Sequence, residues 1–328
     1  MITVDRLFSL YREAGFLYPE KMKRLERHLV EIQDNWERLL ASHDDLLTVH
    51  ASGSLNGSGA SLTAWRSTAR SSFRQHLVAF NSPLDSRNVI LESLRYVAAR
   101  GDLASTQWFR MRNRLPGRVF GTTPSSTHLD VEYLALPRHV ELPRHVGVCV
   151  STGTDGARES RALLLSELGS SFVCVEDIDD AELENIDGLY KKVGLRRFRR
   201  IAVAWRNLDE SPATVALAYR GPLGLNFSFL ENRIELVVRT GLPPALREEA
   251  VQALLWAIQP VYDDAPLVEL VVVARGQDRA ALEAAGLRHV RSYRNLITSS
   301  AETETICEHV GGFFKAIERR QAARAAVA

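Results

Sequence analysis

Between Leu225 and Asp264 the hydrophobic period changes once, from two residues to about 3.6, and this switch restricts the fold more than any other stretch. Ile234, Leu236 and Val238 alternate with Arg233, Glu235 and Val237 as on a strand, whereas Leu246, Ala250, Val251, Leu254, Leu255, Ile258 and Val261 recur as on one helix face. Pro243 and Pro244 stop strand pairing and suit the first turn of a helix. Arg239–Pro244 therefore reads as the connection, with a helix expected from about Ala245. Such a β-loop-α unit presents first-turn N–H groups and the positive end of a helix dipole, an arrangement suited to a phosphate.

The unit recurs upstream. SSFRQHLVAFNSPLDSRNVILESLRYVAARGD, residues 71–102, gives a strand, a Pro-containing loop and a helix with Val89, Ile90, Leu94 and Val97 inward. Pro83 precedes Asp102 by 19 positions, and Pro244 precedes Asp263 by the same 19. Strand-like runs follow both helices, at Ser105–Asn113 and Leu267–Arg275. One β-loop-α unit cannot bury its apolar face alone, so a repeated α/β half-domain is the simplest reading, with a chance match of two common units as the alternative.

At 328 residues and 45% hydrophobic content the chain is long enough for two domains with sizeable cores. Its 41 basic and 40 acidic residues leave a net charge of +1, so nothing global favours nucleic acid or an anionic membrane. Cys149, Cys174 and Cys307 lack the even count of a disulfide scaffold and the spacing of a zinc site. A reducing cytoplasm is expected. The early charges of MITVDRLFSLYREAG, and the absence of a long apolar run, read against a signal peptide or a membrane span. Abundant Ala and Arg with few Lys point to a GC-rich bacterial source.

In chain order, residues 2–41 read as two amphipathic helices separated by Gly15 and Pro19. Leu46–His50 and Ala60–Trp65 flank SGSLNGSG, a hairpin tip rather than a phosphate loop, since no helix or Lys-Ser/Thr pair follows. The strand-like HLDVEYLAL precedes a boundary placed near 136–144. Gly153 and Gly156 then open a helix, as a βα turn or as a weak phosphate cradle. Lys191, Lys192, Arg196, Arg197, Arg199 and Arg200 surround Phe198, either as a solvated helix end and strand face or as a nucleotide-phosphate site. Ile201–Trp205 and Ala213–Tyr219 form a hairpin through RNLDESP, and Gly286 caps a short helix before a last strand. From Thr303 an amphipathic helix carries Ile306, Val310, Phe313, Phe314 and Ile317 on one side.

The hairpin RIAVAW/ATVALAYRG, the strand NRIELVV with its helix, the strand VELVVVA and the ending AALEAAGLRHVRSY together resemble the GNAT superfamily of acyl-CoA N-acyltransferases over about half the chain. The resemblance implies an α/β (α+β) chain of tandem GNAT-like domains, each a mixed, mainly antiparallel sheet flanked by helices. The domains would be 46–139 and 140–300, with a helical segment at 1–45 and a C-terminal helix at 301–328. It implies acyl transfer from acetyl-CoA or another acyl-CoA, as co-substrate, to a small-molecule or protein amine. Glu231, Glu235 and Tyr190 are the implied catalytic residues: a carboxylate to activate the amine, and a Tyr four residues before Gly194 to protonate the thiolate. Val238, Arg239, Thr240, Gly241 and Arg247 are the implied coenzyme-binding residues, and no metal is implied. Two departures weigh against this. RTGLPPALREE and FNSPLDSRN lack the family's pyrophosphate-cradling glycines, and Leu282 stands where the family's Tyr precedes Gly286. A catalytically degenerate GNAT-like binding or regulatory module is the alternative, with the apolar terminal helices offered to a protein partner or to a second copy.

Overall fold

The computed structural model describes residues 3–54, 58–80, 82–110, 112–143, 148–206, 212–275 and 279–325. The RNLDESP turn and the centre of the SGSLNGSG tip lie largely outside them. Two compact units result: Met1–Arg66, Arg70–His128 and Leu296–Ala328 make the first, while Ser67–Ala69 and Leu129–Asn295 make the second.

The first unit opens with α1 (Val4–Glu13), α2 (Pro19–Leu25) and α3 (Leu29–Leu40). A 3-10 turn at Glu26–His28 breaks the second expected helix in two. β1 (Leu47–Gly53) and β2 (Gly59–Thr68), which flank the Gly/Ser segment, pair antiparallel from Leu47↔Trp65 to Gly53↔Gly59. β3 (Ser71–Phe80), α4 (Pro83–Ala99) and β4 (Ala104–Phe109) follow, then α5 (Arg114–Phe120). The strand order is β1-β2-β3-β4. The last helix, α11 (Thr303–Ala325), lays Ile306, Val310 and Phe314 against Val89, Ile90 and Leu94 of α4, which fills the core of this unit.

The second unit contains β5 (Ser126–Pro137), β6 (Val148–Thr152), α6 (Gly153–Leu168), α7 (Ser170–Val175), α8 (Glu184–Lys192), β7 (Phe198–Arg206) and β8 (Thr214–Arg220). It continues through β9 (Arg233–Val238), α9 (Pro244–Ile258), β10 (Glu269–Arg275), α10 (Arg279–Ala284) and β11 (Arg288–Ser299). The strand order is β6-β7-β8-β9-β10-β5-β11. β6 to β9 pair antiparallel, β9 and β10 parallel, and β10 and β5 antiparallel. Each unit is therefore a mixed sheet with helices packed on it. β5, which precedes the boundary expected at 139, is an inner strand of the second unit.

The internal repeat is visible in the pairing. β3-α4-β4 and β9-α9-β10 are both parallel crossovers, registered Ser71↔Ala104 and Arg233↔Val271. Pro83 and Pro244, the anchors of the 19-residue spacing, are each the first residue of their helix, where a missing N–H is no loss.

Candidate functional site

Every residue of β9 is buried, including Arg233 and Glu235 on the face that alternation assigns to solvent. Glu176, at the C-terminal cap of α7, pairs with Arg233 on that face. Arg233 Nη2 donates to Glu176 Oε1 at 2.7 Å and Nε to Glu235 Oε2 at 3.0 Å, while Arg275 Nη2 donates to Glu235 Oε1 at 2.6 Å. Tyr219 Oη donates to the other Glu176 oxygen at 2.6 Å, and the Arg233 guanidinium lies 4.0 Å from the Tyr219 ring centroid. Burial and the Glu176 charge raise the Tyr219 hydroxyl far above its usual range. Burial alone would loosen the Arg233 proton, but Glu176 and Glu235 overcome it and raise the pKa. A buried charge group of this kind persists only when each member is paired, and these are.

The loop entering β9 is built on Glu231, which is fully buried. Its oxygens accept N–H groups from Gly224 at 2.7 Å and Asn226 at 3.2 Å, yet desolvation dominates and pushes its pKa up to about 8. Phe229 turns the chain there with φ +57°. Arg197 Nη1 donates to the Glu231 carbonyl at 3.0 Å, and its guanidinium interacts electrostatically with Tyr190. The three residues expected to be catalytic, Glu231, Glu235 and Tyr190, are thus gathered around one buried arginine-rich network, each at most 1% exposed. Both Glu235 oxygens are taken by guanidinium groups, so neither is directed at an acceptor amine.

Around the expected coenzyme loop, Val238 is buried in β9 and Gly241 makes the turn with φ +83°. Arg239 donates to the Pro212 carbonyl, and Arg247 Nη2 to the Leu242 carbonyl at 3.1 Å. Thr240 gives its N–H and its hydroxyl to the two Glu167 oxygens, at 2.9 and 2.7 Å. A carboxylate from α6 thus sits on the loop expected to receive phosphate. In the first unit the corresponding turn holds a carboxylate too. Ser82 caps α4 by accepting the Asp85 N–H at 3.2 Å, and the Asp85 side chain accepts Ser52 Oγ–H at 2.5 Å.

The basic run resolves by alternation. Arg197 and Arg199 point inward, 1% and 0% exposed. Arg199 donates to the carbonyls of Glu176, Asp177 and Asp180, holding the link between α7 and α8. Lys191 and Arg196 both pair with Asp187 at 2.9 Å, and Arg200 pairs with Glu182. A phosphate site built on Arg197 and Arg199 is therefore corrected to a buried structural role. Gly156 is likewise a packing residue, because a Cβ there would meet the Ile201 carbonyl oxygen at 2.9 Å.

The first unit contains a constellation with no motif to announce it. His76, inside β3, adopts φ +53°, a left-handed conformation that a non-glycine residue seldom takes within a strand. Pairing of β3 with β4 runs only from Ser71↔Ala104 to Arg74↔Gln107, although β3 continues to Phe80. The His76 ring stacks on Trp36 at 5.7 Å, meets Tyr11 and Phe16 edge-on, and puts Nδ1 3.3 Å from Thr63 Oγ1. Burial lowers the His76 pKa well below its usual value, so the ring is neutral at physiological pH. Burial raises Tyr11 strongly, against hydrogen bonds with Ser61 and Thr63, so its hydroxyl keeps its proton. Among the described residues, no group of three or more acidic, His or Cys side chains could hold a metal ion, and no helix is long and apolar enough to cross a membrane.

No protein-family model and no curated protein matches the chain. Solved structures similar to it include a tandem GNAT protein from the clavulanic acid biosynthesis pathway, at 13% identity and TM-score 0.41 over 82% of this chain and 88% of that one. A Drosophila protein is similar at 12% identity and TM-score 0.45, over 90% and 96% of the two chains. A GCN5-related N-acetyltransferase from Kribbella flavida is similar at 14% identity and TM-score 0.42, over 81% and 93%.

Proposed function

We propose that the chain is a tandem GNAT-type N-acyltransferase whose reacting half is the first unit, taking its acyl group from acetyl-CoA or another acyl-CoA and giving it to an amine in a bacterial cytoplasm. The observation that carries this reading is the left-handed His76 at the point where the parallel β3 and β4 stop pairing. The left-handed residue falls two positions past the last β3–β4 pair, and backbone strain of this kind concentrates at functional sites. The released edge suits an extended pantetheine arm, which supplies the thioester. Neutral His76 takes a proton from the attacking amine, and Tyr11, held protonated, returns one to the departing sulfur. Thr63, whose hydroxyl lies 3.3 Å from His76 Nδ1, orients the imidazole.

Calorimetric titration with acetyl-CoA and longer acyl-CoAs tests the reading, and no binding to any of them removes it. Tyr11→Phe should lower kcat by roughly 10²- to 10⁴-fold, the usual contribution of a positioned proton donor, with KM little changed. Arg239→Ala or Arg247→Ala separates the units. Loss of acyl-CoA affinity in either variant would return the coenzyme to the second unit.

A second reading, a non-catalytic GNAT-like binding or regulatory module, is favoured by the carboxylates at both phosphate positions and by the packed network around Glu235. It predicts association with a protein or a second copy, without turnover.

A further inference from the structure

Between Asp102 and Asp130 the sequence holds four arginines, Arg110, Arg112, Arg114 and Arg118, and no acidic residue. In a chain of net charge +1 this is a local excess of cations. Arg110 is half-buried and donates to Tyr18 Oη at 3.4 Å. Arg112, Arg114 and Arg118 are exposed, and among the described residues no hydrogen bond or ion pair engages their side chains. The 191–200 run differs, since its Lys191, Arg196 and Arg200 each pair with a carboxylate. Two of the placements are unfavourable in themselves. Arg114 opens α5, where a cation opposes the helix dipole, and Arg118 follows four positions later, where like charges repel. Val119 and Phe120 anchor α5 in the core of the unit, so both arginines stay on its outer face.

Their position gives these cations a role. β3 and β4 run parallel, α4 begins just past the end of β3, and the four arginines begin just past the end of β4. Both connections therefore lie outside the carboxyl ends of a parallel pair, where α/β sheets bind their ligands. The first of them repels phosphate. Asp85, in the first turn of α4, accepts Ser52 Oγ–H at 2.5 Å, and hydrogen bonds from Ser52 and Ser82 hold it below the usual carboxylate range. That connection, FNSPLDSRN, also lacks the glycines of a backbone cradle. The second carries three unpaired guanidinium groups and no opposing charge of its own.

We infer that Arg112, Arg114 and Arg118 bind the phosphate groups of the acyl-CoA in the first unit, by side-chain charge in place of a backbone cradle. Guanidinium groups suit this, since each can hold two phosphate oxygens at once. The identity of the ligand rests on the acyltransferase reading. Three free cations are too few for a nucleic-acid strand, whose tight binding takes about 6–10 phosphate contacts.

The test is calorimetric titration of the full chain with coenzyme A and with pantetheine, which carries the thiol arm without the phosphates. The wild type should bind coenzyme A with an affinity that falls as salt rises, and pantetheine more weakly. Arg114→Gln with Arg118→Gln should weaken coenzyme A by about tenfold or more, the scale of a lost hydrogen bond to a charged group, and leave pantetheine unchanged. The urea midpoint of that variant should equal or exceed the wild type, because two repelling charges are gone. Equal coenzyme A affinity in wild type and variant overturns the phosphate assignment and leaves the acyltransferase reading standing. Equal weakening of pantetheine also overturns it, by making the arginines structural. No binding of coenzyme A to the wild type removes both. Arginine-dependent binding without transfer to any amine keeps the site and removes the enzyme.

Discussion

Arg233 and Glu235 show what a sequence conceals at the scale of single residues. Alternation along β9 places them on the solvent side, and their own ion pair, completed by Glu176 57 positions before Arg233 and by Arg275, makes their burial tolerable. Charges read as surface by pattern can therefore be interior when a distant partner completes them. Removing one member should cost about 3–5 kcal/mol, because the others remain buried without a counter-charge. Glu235→Met is expected to show this as a lower urea midpoint, whereas an unchanged midpoint would mean that the network is hydrated. Glu231 makes a pH-dependent prediction of definite sign. Its folded pKa of about 8 exceeds the ordinary 4.5, so between those values the folded chain holds a proton that the unfolded chain has released. This contribution to stability falls as pH rises through the window and levels off above about 8. Glu231→Gln should flatten that slope, as read from urea midpoints across the same range.

At the scale of elements, most helices and strands were legible because each has a single clear period, and the two prolines fixed helix starts to within a residue. Two features were not. The insertion of β5 between β10 and β11 depends on pairings more than a hundred residues apart, such as Glu269↔Pro137, which no local period encodes. The left-handed conformation of His76 leaves no trace in SSFRQHLVAF, since His is neither a turn former nor a strand breaker there. The candidate site was consequently legible only where it coincides with the organising stretch. The C-terminal helix was read as either docking or associating, and it docks. Phe314→Ala should therefore cost about 3–5 kcal/mol as a core truncation, measured by urea unfolding. Gly156→Ala tests a different contact. A methyl there presses on the Ile201 carbonyl, so α6 must shift at an expense of about 1–3 kcal/mol.

For the whole molecule, charge decides which partners can be captured at a distance. A net charge of +1 gives no long-range attraction for polyanions, so nucleic-acid affinity would need a local basic run such as 191–200. Within it, Arg197 and Arg199 are buried, Lys191 and Arg196 share Asp187, and Arg200 pairs with Glu182. Non-specific binding to nucleic acid typically has Kd values of about 10⁻⁴–10⁻⁶ M at physiological salt, and its affinity falls steeply as salt rises. The full chain should bind more weakly than even that range. Fluorescence polarisation with a labelled oligothymidine at low and physiological salt should give no saturable signal, and Lys192→Glu with Arg196→Glu should change nothing. Arg197→Glu with Arg199→Glu should instead unfold the second unit, visible as lost circular dichroism, because each carboxylate would replace a guanidinium that backbone carbonyls hold. Saturable, salt-steep binding that disappears in the exposed Lys192→Glu, Arg196→Glu variant would overturn the structural reading of this run.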